Sequence, residues 1–195
     1  MSDRQGGRSH GPNYDSTNDD PSAPSRPTNS RWQLPRIYLT NVRSLRYKVD
    51  ELAAVLETNQ IDIGCITESW LDENITTDSM DIANYTCYRH DRADGRKCGG
   101  VVCYISTRWQ CTRLHLLETS DLESIWLLLR RPVMPRQVSH IIIGAIYHPP
   151  GAPSGPMAHH IITAVDTIIS QHPHAGVEIV GDLKHWVTDR SVVTH

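Results

Sequence analysis

The sequence lacks a hydrophobic run long enough to cross a membrane. A transmembrane helix needs about 20 consecutive apolar residues, and no stretch of this chain approaches that length. The basic residues near the N-terminus are not followed by the apolar segment of a secretory signal. We therefore expect a soluble, intracellular protein with no membrane partner.

Cysteine is sparse and shows no pairing pattern. The chain has five cysteines, an odd number, and contains no Cys-x-x-Cys pair. A disulfide framework and a zinc knuckle are therefore not indicated. We expect reduced, buried thiols at Cys65, Cys87, Cys98, Cys103 and Cys111.

An excess of positive charge is also missing, since the formal net charge is -3 at pH 7. Proteins that coat nucleic acid by bulk electrostatics need clustered Lys and Arg side chains. Any contact with nucleic acid must therefore be local. The main candidate cluster is Arg89, Arg92, Arg96 and Lys97, and a second is Arg130, Arg131 and Arg136. A solvated surface loop is the alternative interpretation of each.

Composition divides the chain into two parts. Residues 1–34 contain almost no large apolar side chains and are rich in Ser, Asn, Asp, Gly and Pro. Such a segment cannot bury enough surface to offset its chain entropy, which predicts a disordered leader. Residues 35–195 carry short apolar runs separated by turn residues, which predicts one folded domain.

The apolar pattern of this domain predicts a mixed α/β sandwich. Strands are predicted over 37–40 and 61–67, with an amphipathic helix over 44–58 between them. Later strands are predicted over 84–90, 100–106, 112–117, 124–130, 140–147 and 177–180. A helix before the last strand would bury Ile161, Ile162, Val165, Ile168 and Ile169. This order implies mixed sheets flanked by helices.

Four polar residues lie where predicted strands end: Asn41, Glu68, Tyr147 and Asp182. Strand ends on one side of a sheet converge in space, so these residues could share a cleft. Carboxylate and amide oxygens suit Mg²⁺, which keeps waters and substrate phosphates as its other ligands. The competing interpretation is that polar residues at strand ends are common.

The surrounding motifs resemble, in order, the signatures of the endonuclease/exonuclease/phosphatase superfamily. They are Leu-Thr-Asn ending at Asn41, Thr-Glu-Ser-Trp-Leu around Glu68, Tyr-His-Pro-Pro from Tyr147 and Gly-Asp ending at Asp182. That superfamily includes abasic-site endonucleases, deoxyribonuclease I and inositol polyphosphate phosphatases. The second and third motifs, with Gly99-Gly100 between them, are most similar to the nucleases of non-LTR retrotransposons. The resemblance covers residues 36 to about 186.

The resemblance implies a layered, deoxyribonuclease I-like fold and a role for each residue. Glu68 would be the main ligand of Mg²⁺, or of Mn²⁺, with Asn41 beside it. Tyr147 would donate a hydrogen bond to a phosphate oxygen, and Asp182 would orient or deprotonate the attacking water. His148 is a candidate donor to the substrate. The implied partners are DNA and, in a longer protein, a downstream reverse transcriptase domain, with a nuclear location.

Two departures from the family pattern bear on activity. Lys184 stands where the family's Gly-Asp-x-Asn motif has Asn, and Lys has no acceptor with which to hold a water. No Ser-Asp-His motif follows Asp182. We therefore expect a C-terminally truncated domain with impaired catalysis.

Three functions stay open at this point. The first is an Mg²⁺-dependent DNA endonuclease domain. The second is a non-catalytic remnant that binds nucleic acid weakly. The third is a phosphatase of the same superfamily acting on a small phosphoester, because the fold alone does not fix the substrate.

Overall fold

A computed structural model describes residues 34–92 and 98–183. Nearly all of the predicted leader lies outside the described residues. So do three of the candidate functional residues, Arg96, Lys97 and Lys184.

The described residues form eight strands, two α-helices and two short 3₁₀ helices. The α-helices are α1 (Val49–Thr58) and α2 (Ser154–Gln171), and neither is long and apolar enough to span a membrane. The strands are β1 (Ile37–Asn41), β2 (Ile63–Thr67), β3 (Tyr85–His90), β4 (Val101–Ser106), β5 (Gln110–Arg113), β6 (Ser124–Arg130), β7 (His140–Tyr147) and β8 (Ala175–Asp182).

The strands make two four-stranded sheets, with orders β1-β2-β4-β3 and β5-β6-β7-β8. In each sheet one neighbouring pair is parallel: β1 with β2, and β7 with β8. The remaining pairs are antiparallel. A parallel pair needs a crossover connection, and α1 and α2 provide it in the two sheets.

Apolar side chains of both sheets meet in one central core. The first sheet contributes residues such as Ile63 and Val101, and the second contributes residues such as Leu127 and Ile143. Each outer face is covered by a helix: α1 packs on the first sheet and α2 on the second. Strands β4 and β7 are buried along their whole length, which explains their continuous apolar runs. The layers are thus helix, sheet, sheet and helix, and the predicted α/β sandwich is confirmed.

The predicted start of the first helix, Ser44, is wrong, because α1 begins only at Val49. Ser44 has a φ of +90°, which an α-helix cannot accommodate. Its backbone N–H donates to the carbonyl oxygen of Glu68 at 2.8 Å instead of entering the helix. A long-range contact therefore overrides the apolar periodicity.

The strand predicted over 112–117 is wrong in its second half, where His115–Leu117 form a 3₁₀ helix. The backbone N–H of Trp126 donates to the side chain of Glu118 at 3.1 Å. If β5 continued, the N–H of Trp126 would donate to the backbone of that strand, but it donates to the Glu118 carboxylate instead. The ladder consequently stops at Arg113.

The predicted apolar face of the second helix is partly wrong. Ile162 and Ile169 are 59% and 61% exposed. Each directly follows a residue of the buried stripe, and one helical step turns a side chain by about 100° around the axis. The stripe that packs on the sheet has the spacing four, three, four and consists of Met157, Ile161, Ala164 and Ile168.

Gly144 faces Trp126 across the β6–β7 ladder, and the indole ring is fully buried. A Cβ atom at position 144 would lie 2.6 Å from the ring atom Cζ3. We expect Gly144→Ala to lower the free energy of unfolding by roughly 1–3 kcal/mol through overpacking. Urea unfolding followed by circular dichroism measures this loss.

Gly155→Ala is the matched control, because a Cβ atom there, in the first turn of α2, meets nothing within 4 Å. Alanine should raise the free energy of unfolding by up to about 1 kcal/mol at this helical position. Equal unfolding midpoints for the two variants would contradict the close fit of Gly144 to Trp126.

Candidate active site

The sheet topology places four strand ends at one rim of the sandwich. Asn41 pairs with Thr67 in the parallel β1–β2 pair, so Asn41 and Glu68 emerge at the same end of the first sheet. Tyr147 pairs with Asp182 in the parallel β7–β8 pair and ends the second sheet in the same way. Because the two sheets face each other, these two edges meet.

Two hydrogen bonds join the edges across the sheets. The hydroxyl of Tyr147 donates to Oε1 of Glu68. Nδ2 of Asn41 donates to Oδ2 of Asp182 at 3.1 Å. The structure therefore brings together all four residues singled out in the sequence, each as one partner of a cross-sheet pair.

Tyr147 is almost completely buried, with 3% of its surface exposed. Burial raises the pKa of its phenol, and the hydrogen bond and charge of the neighbouring Glu68 carboxylate raise this pKa further. A phenol is protonated at neutral pH even with an ordinary pKa, and this upward shift keeps the hydroxyl a hydrogen-bond donor at higher pH as well.

Glu68 lies in a strained turn after β2. Its φ is +57° and that of Trp70 is +53°, in the left-handed region that costs roughly 1–2 kcal/mol for a side-chain-bearing residue. Backbone bonds hold the turn, since the N–H of Trp70 donates to Gly99 at 2.9 Å and that of Ser69 donates to Gly100 at 3.3 Å. Strain of this kind concentrates at functional sites.

The Glu68 carboxylate accepts two more hydrogen bonds besides that of Tyr147. Both reach Oε2: one from Nε1 of Trp70 at 2.6 Å and one from the N–H of Gly99 at 3.3 Å. A carboxylate offers about four acceptor positions. The described residues donate three hydrogen bonds to Glu68, so one acceptor position of its carboxylate is not used by them.

The described residues include no group of three or more His, Cys, Asp or Glu side chains that could hold a metal ion. A zinc-type site, which relies on three or four protein ligands, is thus not formed by this part of the chain. Mg²⁺ has different needs, because it binds through one or two carboxylates and keeps several waters. Glu68 and the amide oxygen of Asn41 are oxygen donors of the type it prefers.

Glu123, which no sequence pattern singled out, lies beside the site directly before β6. Its side chain accepts the N–H of Gly100 and pairs with Nε of Arg92 at 2.8 Å. Burial raises the pKa of the Glu123 carboxyl, and the Gly100 N–H and the Arg92 guanidinium oppose that rise. An acidic residue before an apolar strand is too common a pattern to have revealed this role.

The predicted nucleic-acid cluster is described only at Arg89 and Arg92. Arg89 pairs with Asp91 at 2.5 Å and its side chain is 14% exposed. Arg92 pairs with Glu123, donates to the carbonyl oxygen of Cys98 at 2.9 Å and is 11% exposed. Both guanidinium groups thus have intramolecular partners, and nucleic-acid binding by this cluster stays a prediction.

His148 lies next to Tyr147 but is buried, with Nε2 at 3.3 Å from the carbonyl oxygen of Pro153. It lines a cavity of about 530 Å³ that also borders Arg92 and Glu123. The remaining wall includes Pro149 and other apolar residues of the α2 entrance. The cavity adjoins the rim that carries the four strand-end residues.

No protein-family model and no curated protein matches this sequence. Solved structures match in fold. The endonuclease domain of TRAS1, a telomere-specific non-LTR retrotransposon, has a TM-score of 0.56 at 14% identity, covering 76% of this chain and 58% of that one. The AP endonuclease LMAP from Leishmania major has a TM-score of 0.54 at 18% identity, covering 75% and 54%. The human Nocturnin catalytic domain has a TM-score of 0.50 at 12% identity, covering 76% and 64%.

These proteins all belong to the endonuclease/exonuclease/phosphatase superfamily. The chain has the deoxyribonuclease I-like fold of that superfamily, so the fold implied by the motifs is confirmed. It spans little more than half of the length of the first two structures. At these identities the shared property is the fold.

The turn at Gly100 yields a testable consequence. Its φ is +85°, and a Cβ atom would lie 2.5 Å from Oγ of Ser69, inside the Glu68 turn. We expect Gly100→Ala to lower the free energy of unfolding by roughly 2–5 kcal/mol, the sum of the left-handed backbone cost and the overpacking. Urea unfolding measures it.

Gly151→Ala separates the two contributions. Gly151 also has a positive φ, +78°, but a Cβ atom there meets nothing within 4 Å. Its loss should be confined to the backbone cost of roughly 1–2 kcal/mol. Losses of the same size in both variants would show that the Ser69 side chain moves away from the added Cβ atom at no cost in free energy.

Proposed function

We propose that this chain is a nuclease domain of the retrotransposon type, which hydrolyses phosphodiester bonds in DNA with the help of a divalent metal ion. The observation that supports it best is the double cross-sheet contact, Glu68 with Tyr147 and Asn41 with Asp182. The fold alone would accommodate other reactions. The chemistry of these four side chains favours phosphoester hydrolysis among those reactions.

Hydrolysis of a phosphodiester builds negative charge on the phosphoryl oxygens and needs a positioned water. Tyr147 is the donor for a phosphoryl oxygen: its single hydroxyl proton, which is donated to Glu68 in the free protein, would turn to the phosphate once Glu68 holds a metal ion. Asp182 is the acceptor that orients the water and takes its proton. Asn41 fixes the direction of that carboxylate through its amide hydrogen bond.

Glu68 and Asn41 are the residues that would hold Mg²⁺ or Mn²⁺. When bound, the ion would neutralise charge on the scissile phosphate. The protein's contribution is to aim the Glu68 carboxylate, which Trp70 and Gly99 do by donating to Oε2. This donor set fits an ion that completes its coordination with water.

The cavity lined by Arg92 and His148 is a suitable place for the nucleotide that flanks the scissile phosphate. Its volume of about 530 Å³ and its partly apolar wall suit a sugar and a base. Lys184 follows Asp182 closely, and we expect it to weaken catalysis because it cannot accept a hydrogen bond from water. In an intact element, such a nuclease would nick nuclear DNA for a reverse transcriptase domain.

A phosphatase acting on a small phosphoester is the second candidate. The structure of the similar human Nocturnin catalytic domain contains a bound sulfate anion. Sulfate is a small tetrahedral oxyanion, as is a phosphate monoester. The same four side chains would serve that substrate, so the assay must include both classes.

Plasmid nicking with Mg²⁺ and with chelator tests the proposal. We expect wild-type nicking to disappear with chelator, and Glu68→Gln and Asp182→Asn to lower the rate by roughly 10²–10⁴-fold, as for lost acid–base and charge-stabilising groups. Tyr147→Phe should lower it by roughly 10²–10³-fold, the effect of removing one transition-state donor. Lys184→Asn should raise it.

Glu178→Gln is the matched control, since Glu178 is an exposed carboxylate on the same strand as Asp182. Its nicking rate should equal that of the wild type. Persistence of metal-dependent nicking in Glu68→Gln would contradict the proposal. Turnover of inositol polyphosphates without nicking would support the phosphatase, and DNA retention without either activity would support a non-catalytic remnant.

A further inference from the structure

The buried carboxylate of Glu123 has no part in the reaction proposed above. The residue is only 7% exposed, and a buried charge is unfavourable unless it is paired and hydrogen-bonded. Its partners, Arg92 and the N–H of Gly100, come from segments that flank the site. The position of Glu123 therefore needs an explanation beyond packing.

The contacts of Glu123 lead to Glu68 through the glycine pair. The N–H of Gly100 donates to Oε2 of Glu123, and the N–H of the adjacent Gly99 donates to Oε2 of Glu68. The carbonyl oxygen of Gly99 accepts the N–H of Trp70, which itself donates its indole N–H to Glu68. One turn thus connects the two carboxylates.

The backbone of Glu123 also reaches the other side of the site. Its carbonyl oxygen accepts the N–H of Tyr147 at 2.9 Å. Tyr147 in turn donates its hydroxyl to Glu68. Both partners of the Glu68–Tyr147 contact are consequently tied to the same residue.

The glycine pair is fitted closely around this carboxylate. A Cβ atom at Gly99 would lie 2.7 Å from Oε2 of Glu123 and 3.2 Å from Cζ of Arg92. Both glycines have positive φ, +103° for Gly99 and +85° for Gly100. Hydrogen bonds to an ionised carboxylate are stronger than neutral ones, so Glu123 can hold the turn in this conformation.

We infer that Glu123 is a positioning residue, which holds the Gly99–Gly100 turn so that the Glu68 carboxylate is aimed at Tyr147 and at the bound metal ion. This inference rests on the proposed function for its catalytic consequence. Its structural part, the aim of Glu68, does not depend on activity.

Glu123→Gln removes the charge at nearly constant size. Its amide group must point an N–H at one of two donors, Arg92 or Gly100. The Trp70 indole N–H and the Gly99 amide N–H both donate to Glu68 and report its position in ¹H–¹⁵N correlation spectra. We expect both signals to shift, with the indole signal assigned by Trp70→Phe.

The kinetic expectation for Glu123→Gln is a split between turnover and substrate binding. Loss of a group that orients a metal ligand typically costs roughly 10–100-fold in metal affinity or activity. We expect kcat to fall by such a factor and the Mg²⁺ concentration needed for half-maximal nicking to rise by a similar factor, with an unchanged KM for DNA. Glu123→Asp keeps the charge, so its kcat and its Mg²⁺ requirement should lie between those of the wild type and those of Glu123→Gln.

Asp62→Asn is the matched control. Asp62 is equally buried, at 6% exposure, but it precedes β2, whereas Glu68 follows that strand. Its carboxylate accepts the indole N–H of Trp109 at 3.0 Å, and Trp109 follows β4, whereas the glycine pair precedes that strand. The variant should lose stability while the Trp70 and Gly99 signals and kcat stay as in the wild type.

A folded Glu123→Gln with unchanged Trp70 and Gly99 signals and unchanged kcat would overturn the inference. Loss of folding in both the Gln and the Asp variant would also overturn it, because Glu123 would then serve the fold as a whole. If the wild type does not nick DNA, the proposed function fails, and the spectra still decide whether Glu123 aims Glu68.

Discussion

Two parallel strand pairs, facing each other across one apolar core, determine where Asn41, Glu68, Tyr147 and Asp182 lie. In a parallel pair both strands end at the same edge, so β1–β2 and β7–β8 each deliver two residues at strand ends to one rim. The core between the sheets fixes their relative position, since a slip of one residue would turn its apolar side chains outward. Tyr147 belongs to that core as well as to the site. The ring of Tyr147 thus packs in the core while its hydroxyl donates to Glu68 in the site.

The site concentrates local strain that the surrounding structure has to offset. Glu68 and Trp70 both have left-handed backbone conformations, and Glu123 is a buried carboxylate. None of the three would be favourable in isolation. They persist because each of them makes a hydrogen bond with the Gly99–Gly100 turn. The N–H groups of Gly99 and Gly100 donate to Glu68 and Glu123, and the carbonyl oxygen of Gly99 accepts the N–H of Trp70. The glycine pair is therefore as much a part of the site as the acidic residues.

The sequence predicted those features that depend on local pattern. Strands β6 and β7 have the predicted limits because continuous apolar runs bounded by turn residues are distinctive. The start of α1 and the end of β5 were mispredicted because hydrogen bonds from distant residues decide them. Four strand-end residues were found in the sequence, since each follows an apolar run. Glu123 was missed because its partners are distant in the chain, 31 residues before it for Arg92 and 23 for Gly100.

The charge around the rim constrains how a phosphate could be accepted. Glu68, Glu123 and Asp182 are all acidic, whereas the Arg92 guanidinium is already paired with Glu123. A polyanion approaching these carboxylates would meet repulsion in addition to losing water. Under the proposed function, Glu68 and Asn41 would hold a divalent cation, whose charge would offset that of the surrounding carboxylates. Metal binding and substrate binding would then be coupled, and a net charge of -3 would be compatible with DNA as the substrate.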